Sequence, residues 1–199
     1  MEEVSDMWRE QSRDDQVFFF QTWRKKPAEC LKKVKVFVAH DGECHEFTDE
    51  NEQMIVHSVP ELECNHEEAD TRLFLHCLYA ARHQPSSSTD RAPYPALIKS
   101  PDTDVFVIGI TMAEHIGAEV LFHTGRGNNT KTLSISKISS HLGPHVSKAL
   151  ISLHCFTGCD SVSSFHGKYK PEAFKLFASD TACHAVFQEL GSSVIDEYW

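Results

Sequence analysis

Apolar and polar residues alternate through KVKVFVAH (33–40), and a period of two with valine at the apolar positions predicts a β-strand. His40-Asp41-Gly42 is a turn signal, so ECHEFT (43–48) reads as the returning strand of a hairpin, followed by a polar loop, DENEQ (49–53). Ahead of the hairpin, residues 1–16 are highly charged, and VFFFQTW (17–23) is an apolar cluster that reads as a helix ending near Pro27. HEEADTRLFLHCLYAAR (66–82) has the spacing of an amphipathic helix with acids in its first turn. HQPSSSTDRAPYP (83–95) is a loop by composition, and ALIKS (96–100) is a short strand stopped by Pro101. DVFVIGITMAEHI (104–116) is apolar almost throughout, and its length favours a helix over a strand. AEVLFHT (118–124), GRGNN (125–129) and TKTLSISKI (130–138) then read as strand, turn and returning strand. Helical patterns close the chain: SKISSHL, then PHVSKALISLHCF (144–156) with Pro144 near its start, then PEAFKLFAS (171–179) and TACHAVFQEL (181–190). Strands alternating with helices predict an α/β layered fold with a mainly parallel sheet flanked by helices.

Composition narrows the class. With 199 residues, 41% hydrophobic and 24% charged, the chain is long enough for one domain or one with a small appendage, and too apolar to be disordered throughout. No stretch approaches the ~18–20 apolar residues of a membrane span, and the first residues are too polar for a secretory signal. The seven cysteines therefore read as reduced thiols, with no disulfide-linked partner and a nuclear or cytoplasmic rather than secreted location. A formal charge of −10 repels nucleic acid and acidic membranes. It argues against a plain nucleic-acid binder unless carboxylates are gathered for another purpose.

Five acids fall at element junctions. Glu68 and Asp70 lie in the first turn of the 66–82 helix, Asp102 and Asp104 directly follow the strand 96–100, and Asp160 follows a helix in LHCFTGCD. Open α/β sheets bind ligands beyond the carboxyl ends of their strands, where Asp102 falls. Carboxylates converging there stay ionised only with cations between them, and oxygen-only donors suit Mg²⁺ or Mn²⁺. Two such ions activate water for displacement at a phosphodiester. The plainer alternatives are helix-dipole partners for the first-turn acids and packing cysteines for Cys155 and Cys159, which have no second half at zinc-finger spacing. GRGNNTK lacks the P-loop pattern and reads as a turn exposing Arg126 and Lys131. Lys137, Lys148, Lys168, Lys170 and Lys175 join these two as either a phosphate-tracking stripe or a solvated mixed-charge face.

The order E-A-D (68–70), S-P-D-T-D (100–104) and T-G-C-D (157–160) resembles the internal nuclease region of flap endonucleases and XPG-type structure-specific nucleases of the PIN-like superfamily. SVSSFHGKYKPEAFKLF, after Asp160, is similar to that family's helix–hairpin–helix element, with Gly167 at its first glycine and Ala173, Leu176 and Phe177 on the apolar face that follows. The resemblance covers about residues 61–178. It implies a PIN-like, Rossmann-like fold whose Glu68 and Asp70 hold one metal ion, with Asp102 between two Mg²⁺ or Mn²⁺ ions and Asp104 and Asp160 on the second. The same five would be the catalytic residues of a nuclease acting on nucleic acid, DNA ahead of RNA. Gly167, Lys168, Lys170, Lys175 and Arg126 would then contact nucleic acid. Residues 1–60 match nothing in the family, whose first catalytic aspartate precedes the acidic helix, and Tyr169 stands at the second hairpin glycine. The expected organisation is an N-terminal extension over 1–60 with a truncated domain start, a PIN-like core over 61–160 and a helical part over 161–199. The departures also admit a catalytically silent PIN-like module that binds nucleic acid or protein.

Overall fold

In the computed structural model, residues 34–40, 42–50, 53–65, 69–84 and 94–195 are described. The chain divides into two compact units, Met1–Asn65 and His66–Trp199. The helix expected around residues 17–23 lies outside the described residues, as does most of the 83–95 loop.

The first unit is a three-stranded antiparallel meander, β1 (Val36–His40), β2 (Glu43–Glu50) and β3 (Gln53–Ser58), in spatial order β1-β2-β3. The hairpin expected from the alternation forms, with Val36 opposite Phe47 and His40 opposite Glu43. The polar stretch 49–53 is not all loop. Asp49 pairs with Met54 and Glu50 with Gln53, so the strands run almost to the turn. Backbone pairing at a hairpin end is indifferent to side-chain polarity, which is why periodicity misses it. Cys44, Phe47, Val59 and Leu62 are buried, and the Val59 N–H donates to the Cys44 carbonyl at 2.9 Å to hold the exit chain on β2.

The second unit holds α1 (Ala69–Arg82), β4 (Ala96–Lys99), α2 (Thr103–Ile116), β5 (Val120–Thr124), β6 (Lys131–Ser134), α3 (Ile135–Phe156), α4 (Lys170–Ser179) and α5 (Thr181–Ile195). Its class is mixed α/β. The sheet corrects the expectation of a mainly parallel one: β4 and β5 are parallel, with Ile98 beside Phe122, whereas β5 and β6 are antiparallel, with Phe122 beside Leu133. A parallel return needs a crossover of a dozen or more residues, and only the tight turn 125–130 lies between β5 and β6. Gly125 (φ 101°) and Gly127 (φ 56°) give that turn its left-handed backbone. The returning strand also ends at Ser134, not at 138. The Ser134 hydroxyl accepts the Lys137 N–H at 3.3 Å and starts α3 there, so Ile135 enters the core from a helix. A break at Gly143 (φ 77°, ψ 163°) before Pro144 divides α3 in two, as the two sequence segments anticipate.

Helix α2 is buried on most sides, through Val105, Val107, Ile110, Met112, Ala113 and Ile116. A helix apolar all round needs partners all round. At Gly109 the neighbours close in: a Cβ there would lie 2.7 Å from Ile135 Cδ1 and 3.3 Å from the Phe74 ring. Thr111 Oγ1 donates to the Ser147 carbonyl at 2.9 Å, and Ser147 Oγ donates to the Ser139 carbonyl at 3.2 Å, so the buried hydroxyls bind α2 to both halves of α3. Phe177 of α4 joins this same core. On that helix Leu176, expected on the apolar face, is exposed, because the buried stripe runs through Phe174 and Phe177 instead. No helix among the described residues is long and apolar enough to cross a membrane.

Phe74 is fully buried where α1 meets α2. Phe74→Ala is expected to lower the unfolding free energy by about 3–5 kcal/mol in a urea titration. A loss under about 1 kcal/mol would contradict this picture of the core.

Candidate functional site

The site is built at the start of α2. Beyond β4, Ser100 Oγ accepts the Asp102 N–H at 3.0 Å, and Asp102 Oδ1 accepts the Asp104 N–H at 2.8 Å. Asp102 is thus the N-cap of α2, one carboxylate oxygen committed to the helix start. Asp104, two residues on, reaches the C-terminal turn of α3, where its Oδ1 lies 2.8 Å from His154 Nε2. An ionised carboxylate has no hydrogen to give, so Nε2 carries the proton and donates it. Lys170 Nζ, from the start of α4, lies 3.0 Å from His154 Nδ1 and 3.3 Å from Nε2. Those near-equal distances set the ammonium against the ring, not in line with one lone pair. The His154 side chain is 10% exposed and that of Asp104 27%. One carboxylate–imidazole–ammonium chain therefore ties α2, α3 and α4 together. The second oxygen of Asp104 has no hydrogen-bond partner among the described residues.

The loop leaving α3 supplies the opposite wall. Thr157 Oγ1 donates to the Leu153 carbonyl at 2.8 Å, and the Gly158 N–H donates to the Cys155 carbonyl at 3.0 Å. Gly158 then turns with φ 98°, and a Cβ on it would lie 2.5 Å from Ser164 Cβ and 2.8 Å from Ser164 Cα. Only glycine fits both the turn and the returning chain. Cys159 and Val162 pair across a tight bend that presents Asp160 to solvent. A second bend, closed by the Lys168 N–H donating to the Phe165 carbonyl at 3.1 Å, has Gly167 at φ 69° and leads to Lys168, Tyr169 and Lys170.

These pieces enclose an open cleft of about 600 Å³, lined by Asp104, His154, Gly158, Asp160, Lys168 and Lys170 among others. Two of the five expected carboxylates, Asp104 and Asp160, thus line one cleft with two of the expected lysines. Asp102 and Asp70 do not line the cleft: the first caps α2 and the second lies in the first turn of α1. Glu68 lies outside the described residues. Gly167 forms the bend beside the cleft, Lys175 is exposed on α4, and Arg126 is exposed in the β5–β6 turn. His154 went unread as part of this site. Its signal was a histidine in the last helical turn before Thr-Gly-Cys-Asp, visible only once that helix end and the α2 start were known to meet.

For a divalent ion, the donor chemistry fits in kind, since Asp104 and Asp160 are hard carboxylate oxygens facing solvent. Two carboxylates fall short of the five that a two-ion centre of the expected type uses. Among the described residues no group of three or more His, Cys, Asp or Glu side chains is placed to hold a metal.

The thiols near the cleft differ in character. Burial and the neighbouring Cys159 raise the Cys155 thiol, whereas the Ser161 hydroxyl, 3.4 Å from the Cys159 sulfur, lowers Cys159. Burial pushes Cys77 up to about 11. None of the six cysteines among the described residues is in a disulfide.

Two outcomes follow for this loop. Cys159 is expected to react faster than Cys77 with an aromatic disulfide reagent at neutral pH, as read by peptide mass mapping; equal rates would contradict the described environments. Gly158→Ala is expected to cost about 1–3 kcal/mol of stability and to change the Cys159 labelling rate as the bend opens. Set against known proteins, this chain matches no family model, no curated protein and no solved structure.

Proposed function

We propose that the His66–Trp199 unit is a nuclease domain of PIN-like, flap-endonuclease type that hydrolyses phosphodiester bonds of nucleic acid with Mg²⁺ or Mn²⁺. The observation that carries this reading is the meeting of Asp104 and Asp160, from two separate acidic motifs, in one cleft with Lys168 and Lys170. An acidic wall beside ammonium groups matches what phosphodiester cleavage requires: cations to draw in the phosphate, carboxylates where a nucleophile is prepared. Asp104 and Asp160 would be the residues to hold a divalent ion, which would supply charge neutralisation at the phosphate and a more acidic water. The chain's own groups do the rest. His154 holds one oxygen of the Asp104 carboxylate, and Lys168 and Lys170 hold phosphate.

A second reading, a silent PIN-like module that binds nucleic acid or protein without cutting, draws on the same chain of groups. Asp104 is already compensated by the His154 N–H and the Lys170 ammonium behind it, an arrangement that is satisfied without a metal.

Asp104→Asn and Asp160→Asn are each expected to reduce Mn²⁺-dependent cleavage of branched and single-stranded DNA by about a hundredfold or more, and His154→Ala by about 10–100-fold. Cleavage unchanged by either aspartate substitution removes the nuclease assignment. Binding of DNA with no cleavage in the unsubstituted protein selects the silent module.

A further inference from the structure

Beside the cleft the chain places large aromatic rings in water. Phe156, Phe165 and Tyr169 are 54%, 57% and 68% exposed. Phe156 is the last residue of α3, and its ring centroid lies 5.3 Å from that of Phe165, tilted by 48°. The Lys168 N–H donates to the Phe165 carbonyl across the bend at Gly167, and Tyr169 lines the cleft together with Lys168 and Lys170. The Lys168 ammonium has no ion-pair partner among the described residues.

An exposed aromatic cluster of this kind marks an interaction surface, and the ammonium groups interleaved with it select an anionic occupant that also has flat, polarisable faces. Unpaired nucleotides have both. A duplex offers only its phosphates to such a surface, because its bases are stacked on each other. The overall charge of −10 sharpens the choice, since a phosphate grip alone is weak and salt-sensitive on so acidic a chain. Stacking on bases adds affinity that does not depend on net charge.

We propose that Phe165 and Tyr169, supported by Phe156 and flanked by Lys168 and Lys170, form a base-stacking platform that leads single-stranded nucleic acid into the cleft. The inference rests on the phosphodiester reading above and names its substrate as an unpaired strand.

The test is fluorescence anisotropy with the full chain in EDTA, using a labelled oligothymidylate and an abasic oligomer of equal length and charge. Oligothymidylate is expected to bind at least about fivefold more tightly than the abasic strand. Phe165→Leu and Tyr169→Leu, which keep apolar bulk and remove the ring, should each lose most of that difference while leaving abasic binding and the melting temperature unchanged. Tyr169→Trp should retain it. Equal binding of the two oligomers overturns the platform, as does full oligothymidylate binding by both leucine variants. Binding of neither oligomer also overturns it. Base-dependent binding without Mn²⁺-dependent cleavage leaves the platform standing and removes the nuclease reading; cleavage with base-independent binding does the reverse.

Discussion

Helix α2 carries apolar residues on most of its sides, and burying them sets the position of α1, the sheet and both halves of α3. Gly109 lets Ile135 and the Phe74 ring approach the helix more closely than any side chain there would allow. Burial also fixes where the polar start of the helix must emerge. Ser100 and Asp102 accept the backbone N–H groups of Asp102 and Asp104 and Asp104 complements the local dipole, and all three are held at the edge of the core because the rest of α2 cannot leave it. The cleft exists because the C-terminal turn of α3, fixed by the same core, meets that edge.

Electrostatics then decides what the meeting point can do. A half-buried carboxylate needs a partner, and Asp104 has one in the His154 N–H, with the Lys170 ammonium against the same ring. This chain of groups links three helices and engages only one of the two Asp104 oxygens. Gly158 serves the opposite wall, letting the chain double back so that Asp160 and Lys168 reach the same space. On a chain of net charge −10, this local gathering of lysines is a departure from the surrounding field.

Much of this was legible in the sequence, for identifiable reasons. The β1–β2 alternation, the long apolar run of α2, the Gly-rich turn after β5 and the helices at 171–179 and 181–190 all form as their patterns require. The misreadings sit where backbone geometry outweighs composition. β2 and β3 run through polar residues because ladder bonds need no side chain, and β6 stops early because Ser134 caps a helix. The sheet is mixed because its second connection is too short for a crossover. Within the site, Asp104 and Asp160 were visible as acids at element junctions. Asp102 was visible for the same reason but serves as a cap, a role that the residue type suits equally well. His154 was hidden, since its place in the last helical turn before Thr-Gly-Cys-Asp gains meaning only when the helix ends are brought together.

The central claim is that Asp104 and Asp160 act as one functional pair across the cleft. Its most direct test is a Mn²⁺ titration of the full chain followed by electron paramagnetic resonance, which counts free and bound ion separately. The account predicts saturable binding that is lost in both Asp104→Asn and Asp160→Asn and retained in Lys175→Ala, on the exposed face of α4. Absence of binding at millimolar Mn²⁺, or binding that survives both aspartate substitutions, would contradict it.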